Sequence, residues 1–326
     1  MAPRNDSFTT QFILAALTDQ SILQLPLFFL FLVMYMVTVM GNLSLIILIG
    51  LSSHLHTPMY FFLFNLSFID LCYSSVFTPK MLINIISEKK TISYMGCMTQ
   101  LYCLCFFGIS ESYVLTSMAY DRYVAICNPL LYNIAMSPKV CSRLMLDSYL
   151  MAFSGAMVHT GYVLSLTFCD ANTINHYLCD IYPLLQLSCT NTYIIELEVI
   201  IVSGINITVP SLTIFVSYGL ILSNILHIKS TEGRSKAFST CSSHIIAVSL
   251  FFGSSAFVYL KPSSVSADDG KISSVFYTNV IPMMNPLIYS LRNKDVKLAL
   301  RKTLRMGKFR SEIMSVHIVT GQGDSV

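Results

Sequence analysis

The sequence predicts an all-α membrane protein, a seven-transmembrane helix bundle with a short amphipathic cytoplasmic helix after the seventh span. Of its 326 residues, 54% are hydrophobic and only 11% are charged, less than half the roughly 25% charged share of a soluble domain. A water-facing fold could not hide so many apolar residues. Several stretches also lack charge over the roughly 20 residues that a helix needs to cross hydrocarbon. The composition therefore excludes an ordinary cytosolic protein and a disordered chain.

The gaps between charged residues locate the spans. No Asp, Glu, Lys or Arg occurs between Asp19 and Asp70, a gap long enough for two helices, and Pro58 suits the start of the second. The predicted helices are 24–51, 58–82, 93–126, 140–163, 197–227, 237–260 and 272–291. We therefore expect an extracellular N-terminus over 1–23, a transmembrane domain over 24–291, and a cytoplasmic amphipathic segment and tail over 292–326.

The distribution of basic residues predicts the orientation. Fourteen of the 20 Lys and Arg residues fall on the side of the C-terminus, which predicts a cytoplasmic C-terminus and an outside N-terminus. Asn5 begins a glycosylation sequon on that outer end. Apolar and basic residues alternate from Arg292 to Arg310, which suits a helix on an anionic inner leaflet or a plain basic tail. The net charge of +3 is too small to indicate nucleic acid as a partner.

The cysteines predict a tethered outer loop. Four of the 10 cysteines lie on or next to the oxidising face: Cys97, Cys169, Cys179 and Cys189. Loop 164–196 carries three of them, so we expect at least one disulfide between this loop and the start of the third helix. Spacing does not choose among the three pairings. A metal site on His176, Cys179 and Asp180 is the alternative, although the ligand set is thin.

Two carboxylates lie where lipid should surround the chain. Asp70 and Glu111 fall inside the second and third helices. The polar residues Asn42 and Asn285 likewise fall inside the first and seventh helices. Buried ionisable groups are costly in a membrane and mark functional sites. A bound cation would satisfy all four, and so would separate interhelical hydrogen bonds.

Two further features suit a two-state element. Asp121-Arg122-Tyr123 ends the third helix as a breakable charge pair or an ordinary interfacial one. Pro286, after Asn285, removes a backbone hydrogen bond and predicts a kink in the seventh helix.

Five motifs in this order resemble the signatures of odorant receptors, a branch of the rhodopsin-like G-protein-coupled receptors. They are Gly41-Asn42, residues 55–63 (LHTPMYFFL), 118–127 (MAYDRYVAIC), 236–244 (KAFSTCSSH) and 282–293 (PMMNPLIYSLRN). The resemblance implies a receptor in the plasma membrane of olfactory cilia that activates a stimulatory, olfactory-type G protein and so raises cyclic AMP. It also implies Cys97–Cys179 and Cys169–Cys189 disulfides, and a sodium ion on Asp70 and Glu111 near Asn42 and Asn285, with no cofactor required.

The resemblance also assigns the residues of activation. Arg122, between Asp121 and Tyr123, would open toward the G protein, while Tyr218 and Tyr289 swing inward. The inner end of the sixth helix, from Lys236 to His244, would move outward, with Asn285 and Pro286 in the kinked seventh helix. The chain has no tryptophan, so Phe252 stands where other rhodopsin-like receptors carry their tryptophan toggle.

By the same resemblance, the ligand would bind between the outer halves of helices three, five, six and seven. The implied contacts are Leu104, Cys105, Gly108, Ile109, Val202, Ser203, Asn206, Phe252, Ser255, Tyr259 and Thr278. None is charged, so a small neutral volatile molecule with a carbonyl or hydroxyl fits, whereas an amine or carboxylate would lack a counter-ion.

Other seven-helix proteins match less well. A retinal-binding pump needs a lysine within 272–291, and there is none. An intramembrane hydrolase needs a catalytic motif that is missing here. A membrane transporter, which predicts internal repeats, is the main alternative function.

Overall fold

The computed structural model describes residues 11–18, 20–168, 172–227, 230–259, 267–292 and 296–301. Seven long helices follow one another: α1 (Ser21–Leu51), α2 (Pro58–Ile86), α3 (Tyr94–Cys127), α4 (Pro138–Leu164), α5 (Tyr193–His227), α6 (Thr231–Tyr259) and α7 (267–292). Each predicted span is therefore a helix, with ends that differ by a few residues. Three shorter helical segments, Ser53–Leu55, 129–135 and Ile181–Gln186, lie between them.

The outer surface of the bundle is apolar, as a lipid environment requires. Among the described residues, α1, α2, α3, α5 and the part of α6 from Cys241 to Val258 are long and apolar enough to cross a membrane. Large apolar side chains on the outside are exposed, for example Phe215 of α5 and Leu25 of α1. α4 begins with charged residues such as Arg143, and α7 contains a π-helical segment, Phe276–Val280.

The start of each helix follows local chemistry. α2 begins at Pro58, as predicted, and α4 begins at Pro138, because the first turn has no use for the N–H that proline lacks. Ser93 caps α3, and its hydroxyl accepts a hydrogen bond from the Gly96 N–H at 3.1 Å, which satisfies a donor that the first turn leaves free.

Pro286 determines how α7 packs on α1. Proline has no N–H, so the carbonyl oxygen of Pro282, four residues earlier, loses its donor within the helix. The Asn42 side-chain amide replaces that donor, with Nδ2 3.0 Å from the Pro282 oxygen. At Gly41, an added Cβ would lie only 3.0 Å from Cγ of Pro286. The motif Gly41-Asn42 thus supplies both the close approach and the missing donor.

A small sheet at the outer end departs from the predicted all-α fold. Strand β1 (Gln11–Leu14) pairs antiparallel with β2 (Thr91–Ser93) and parallel with β3 (Thr173–Ile174). Phe12 of β1 is fully buried and contacts Phe168 edge-to-face, with ring centroids 5.2 Å apart. Strands of two to four residues are too short to show an alternating apolar and polar pattern in the sequence. They form because segments far apart in the chain pair with one another.

A disulfide fastens the outer loop to α3. Cys97 and Cys179 are bonded, with Cα atoms 5.4 Å apart and both side chains fully buried. Cys179 is therefore no longer a metal ligand, and the described residues include no group of three His, Cys, Asp or Glu that could hold a metal. Cys189 is also disulfide-bonded, but its predicted partner Cys169 lies outside the described residues.

Only part of each terminus is described. Asn5 lies outside the described residues, so its glycosylation stays a prediction. After α7, residues 296–301 are helical, with Val296 buried and Leu298 exposed. The rest of the predicted amphipathic segment lies outside the described residues.

We predict that Cys179→Ser lowers the free energy of unfolding by about 2–5 kcal/mol, because the bond closes a long loop in the unfolded chain. The measurement is thermal unfolding of the purified receptor together with its delivery to the cell surface. Cys72→Ser is the matched control, since Cys72 is an unbonded cysteine and should leave both unchanged. Equal stability of the two variants would contradict the prediction.

Candidate functional site

A cavity of about 90 Å³ lies in the outer half of the bundle. This is several times the space that one buried water needs, so it suits a small molecule. Its walls are mainly apolar, with a few hydroxyl, amide and imidazole groups. The lining residues are Tyr73, Leu104, Cys105, Gly108, Ile109, Ser112, His159, Ile181, Ser203, Asn206, Ile207, Phe251, Ser255 and Tyr277.

The structure places most of the predicted ligand contacts on this cavity. They are Leu104, Cys105, Gly108, Ile109, Ser203, Asn206 and Ser255. Gly108 leaves open space, because a Cβ added there would meet no heavy atom within 4 Å. The side chain of Tyr259 lies outside the described residues.

Three predicted contacts, Val202, Phe252 and Thr278, do not line the cavity, and each is the chain neighbour of a residue that does. Val202 lies next to the lining residue Ser203, and its carbonyl accepts a hydrogen bond from Asn206. Phe252 is buried in the core and contacts Phe251, which lines the cavity in its place. Successive residues of a helix point about 100° apart, so an error of one position turns a side chain away.

The π-helical segment explains the third departure. Thr278 is buried against the loop, where its hydroxyl lies 3.1 Å from the Tyr177 hydroxyl, and Tyr277 faces the cavity instead. A π-turn adds one residue to the helical turn and so shifts the face that α7 presents. No pattern in the sequence predicts this shift of the helix face.

The cavity also carries an ionisable pair that the predicted contacts lacked. His159 of α4 lines the cavity, and its Nδ1 lies 3.0 Å from Oε1 of Glu198 on α5. The two side chains are 4% and 8% exposed. A histidine inside an otherwise apolar span was the signal that could have found this pair.

The outer loop closes the cavity by hydrogen bonds to α7. The Tyr277 hydroxyl donates to Oδ2 of Asp180 at 3.2 Å, and the Ser274 hydroxyl donates to the Tyr177 hydroxyl at 2.9 Å. His176 of the same loop is also buried, and this desolvation lowers its pKa, so its ring is neutral at physiological pH. The roof is therefore a packed, hydrogen-bonded layer.

Below the cavity, the structure brings the predicted carboxylates together. Nδ2 of Asn285 donates to Oδ2 of Asp70 at 3.0 Å and to Oε1 of Glu111 at 3.2 Å. Asp70 and Glu111 are 0% and 1% exposed. Oδ1 of Asp70 and Oδ1 of Asn42 have no hydrogen-bond partner. The cluster thus has more acceptors than donors, and its oxygen atoms are the ligands that hard cations prefer.

Near the C-terminal end of α3, Asp121 holds two partners, Arg122 and Tyr132, and we call these three residues the latch. Nη2 of Arg122 lies 2.8 Å from Oδ2 of Asp121, and the Tyr132 hydroxyl donates to Oδ1 at 2.7 Å. The predicted breakable pair is therefore present, with Tyr132 as an added partner. Tyr123, which follows Arg122, is partly buried against the apolar cluster of Ile221, Ile225 and Cys241.

A second contact joins the C-terminal half of α5 to the N-terminal half of α6. The Tyr218 hydroxyl lies 2.5 Å from Nδ1 of His244, which is buried. The Tyr289 hydroxyl of α7 is buried without a hydrogen-bond partner. The side chain of Lys236 lies outside the described residues.

Comparison with known proteins agrees with this arrangement. Residues 31–306 match the family model described as olfactory receptor. The chain is 70% identical to olfactory receptor 8B3 of Mus musculus over 96% of this chain and 98% of that one. It is 71% identical to olfactory receptor 8B3 of Homo sapiens, over 93% and 97%, and 67% identical to olfactory receptor 8B8 of Homo sapiens, over 95% and 100%. The chain therefore belongs to the olfactory receptor family.

Proposed function

We propose that this receptor binds a small, mostly neutral volatile molecule in the cavity and activates a stimulatory G protein of the olfactory type, which raises cyclic AMP. Family membership makes the chain a receptor and not an enzyme, and leaves the transporter alternative without support. The observation that carries the proposal is the position of α3. One helix lines the apolar cavity through Leu104 and Gly108 and bears the latch at its cytoplasmic end.

The chemistry of the cavity supports a neutral ligand. Of the described lining residues, His159 already partners Glu198, and Tyr277 already donates to the carboxylate of Asp180. A charged ligand would lose its hydration without gaining a free counter-ion. Apolar walls with hydroxyls such as Ser203 and Ser255 suit a molecule with one small polar group.

Ligand binding can favour the active arrangement only by binding it more tightly than the inactive one. In the active arrangement, Arg122 leaves Asp121, and the separation of Tyr218 from His244 lets the inner end of α6 move outward. Tyr289 has an unused hydroxyl that can take a new partner as α7 shifts. The opened groove then accepts the C-terminal helix of the G-protein α subunit.

The site below the cavity suits a sodium ion. Asp70 and Glu111 would hold it, with Asn42 and Asn285 close by. The orphaned oxygens of Asp70 and Asn42 support this assignment, because two buried carboxylates otherwise share a single amide donor. The cation would stabilise the arrangement in which α2, α3 and α7 meet.

The proposed setting is the plasma membrane of olfactory cilia, with the N-terminus outside and glycosylated at Asn5, and the C-terminus in the cytoplasm. The basic residues of the C-terminal side support this orientation.

We predict that Arg122→Ala abolishes the cyclic AMP response to volatiles that activate the wild type, because the G protein loses its main contact on α3. The measurement is a cyclic AMP reporter in cells, normalised to receptor at the surface. Arg143→Ala is the control, since this exposed arginine pairs only with Asp147 at 3.8 Å among the contacts described. An undiminished response in the surface-delivered Arg122→Ala variant would overturn the proposed coupling.

We predict that Gly108→Leu lowers ligand potency by more than about tenfold, because the new side chain enters the open space of the cavity. Gly161→Leu is the matched control, since Gly161 lies exposed on α4 and also has room for a Cβ. Both variants should reach the surface as the wild type does. Unchanged potency in Gly108→Leu would show that the ligand binds elsewhere.

We predict that sodium chloride raises the unfolding temperature of the purified receptor by about 2–4 °C relative to choline chloride, which corresponds to about 1 kcal/mol of binding. Asp70→Asn should remove this difference, whereas Asp147→Asn, at an exposed carboxylate, should keep it. Equal unfolding temperatures of the wild type in the two salts would mean that protons and hydrogen bonds alone satisfy the cluster.

A further inference from the structure

Asn206 presents an unpaired hydrogen-bond acceptor at the cavity. Its Nδ2 donates to the Val202 carbonyl oxygen at 2.8 Å. A carbonyl can only accept, so this contact fixes which end of the amide is nitrogen. The other end, Oδ1, is buried and has no hydrogen-bond partner. Asn206 lines the cavity and is 8% exposed, so the residue that carries this unpaired acceptor borders the space for a ligand.

His159 presents a second acceptor, and Glu198 determines which ring nitrogen it is. A carboxylate can only accept, so Nδ1, which is hydrogen-bonded to Oε2 of Glu198 at 3.3 Å, carries the hydrogen. In a neutral imidazole the other nitrogen is then an acceptor. His159 lines the cavity, whereas Glu198 does not and acts through the histidine.

Both acceptors belong to one wall. Gly155 and His159 are four residues apart and therefore share a face of α4. A Cβ added at Gly155 would lie 3.8 Å from Nδ2 of Asn206, so this face of α4 meets Asn206 on α5. We call His159, Glu198 and Asn206 the acceptor wall.

We propose that the acceptor wall selects ligands that carry an O–H donor, an alcohol or a phenol, over aldehydes, ketones and ethers of the same shape, and that Glu198 is the positioning residue that fixes the acceptor on His159. This inference rests on the proposed function, because it concerns the ligand of the same cavity. The sequence allowed a ligand with either a carbonyl or a hydroxyl group, and this inference selects the hydroxyl.

The selection follows from the cost of unpaired polar atoms. An aldehyde or ether has no hydrogen-bond donor, so it would exclude water from the acceptors and leave them without a partner. The free-energy cost of an unsatisfied buried acceptor is larger than the net gain from one hydrogen bond. An alcohol donates its hydrogen to the wall, and its oxygen can still accept from the hydroxyls of Ser203 or Ser255.

The first test compares matched probes on the wild-type receptor: octanol with octanal and heptyl methyl ether, and benzyl alcohol with benzaldehyde. Binding is measured as the rise in unfolding temperature of the purified receptor, and signalling as cyclic AMP in cells. We expect each alcohol to bind about tenfold more tightly than its carbonyl or ether analogue. Equal binding within each pair would overturn the inference.

Two variants then assign the selection to the wall. Asn206→Leu keeps the shape but removes the acceptor, and should reduce the preference for alcohol about 3- to 10-fold. Glu198→Gln offers His159 either an N–H or an oxygen, so the ring can turn its own N–H to the cavity, and aldehyde binding should rise. A structural role alone would not move the ratio of the two ligands.

The matched control is Asn224→Leu. Asn224 lies on the same helix, and its Nδ2 makes the same bond to a carbonyl four residues back, at 3.0 Å, but it is exposed. This variant should keep the wild-type ratio. An equal change of the ratio in Asn206→Leu and Asn224→Leu would overturn the role of the wall.

The two readouts separate this inference from the proposed function. Selective binding of alcohols without any cyclic AMP response would overturn the coupling and support the acceptor wall. A cyclic AMP response to alcohols and aldehydes alike would support the receptor function and overturn the wall. Absence of binding by every probe would overturn both.

Discussion

A polar side chain inside a bilayer must find its partners within the protein, because hydrocarbon offers no hydrogen bonds. This constraint explains why the few buried polar groups of this chain meet one another. Asn42 bonds the carbonyl oxygen that Pro286 leaves without a donor, and Asn285 bridges Asp70 and Glu111. Four helices, α1, α2, α3 and α7, are thereby held in register by contacts that none of them could make alone.

The same constraint makes the polar groups able to change state. A cluster with more acceptors than donors has no single best arrangement, so a cation, a proton or a shifted helix can each improve it. The bond between Asp121 and Tyr132 in the latch and the contact between Tyr218 of α5 and His244 of α6 are likewise short polar contacts between different elements. Apolar packing against lipid changes little when helices slide, which leaves these few contacts to set the balance between two arrangements.

The end of the bundle that carries the disulfide is built differently. A disulfide, a three-stranded sheet and the bonds from Asp180 and Tyr177 to α7 close the cavity from above. The loop therefore touches both the cavity, through Ile181, and the π-helical segment of α7. Its packing gives the cavity a fixed roof, while the acceptor wall and the open space at Gly108 shape the interior.

The sequence by itself determined the number of spans and the helices on which the polar residues lie. Charged residues are costly in lipid, so each span appears in the sequence as a stretch with few or no charged residues. It also placed Asp70, Glu111 and Asn285 inside helices, where each needs a partner within the protein, and predicted a disulfide between the outer loop and the start of the third helix. Only the tertiary structure decided that Phe251 faces the cavity and Phe252 does not, and that Tyr277 faces it and Thr278 does not. Helix rotation and the π-turn set those faces, and both arise from packing between segments far apart in the chain. The pairing of His159 with Glu198 and the strand pairing of Phe12 have the same origin: the partners are adjacent only after the bundle has formed.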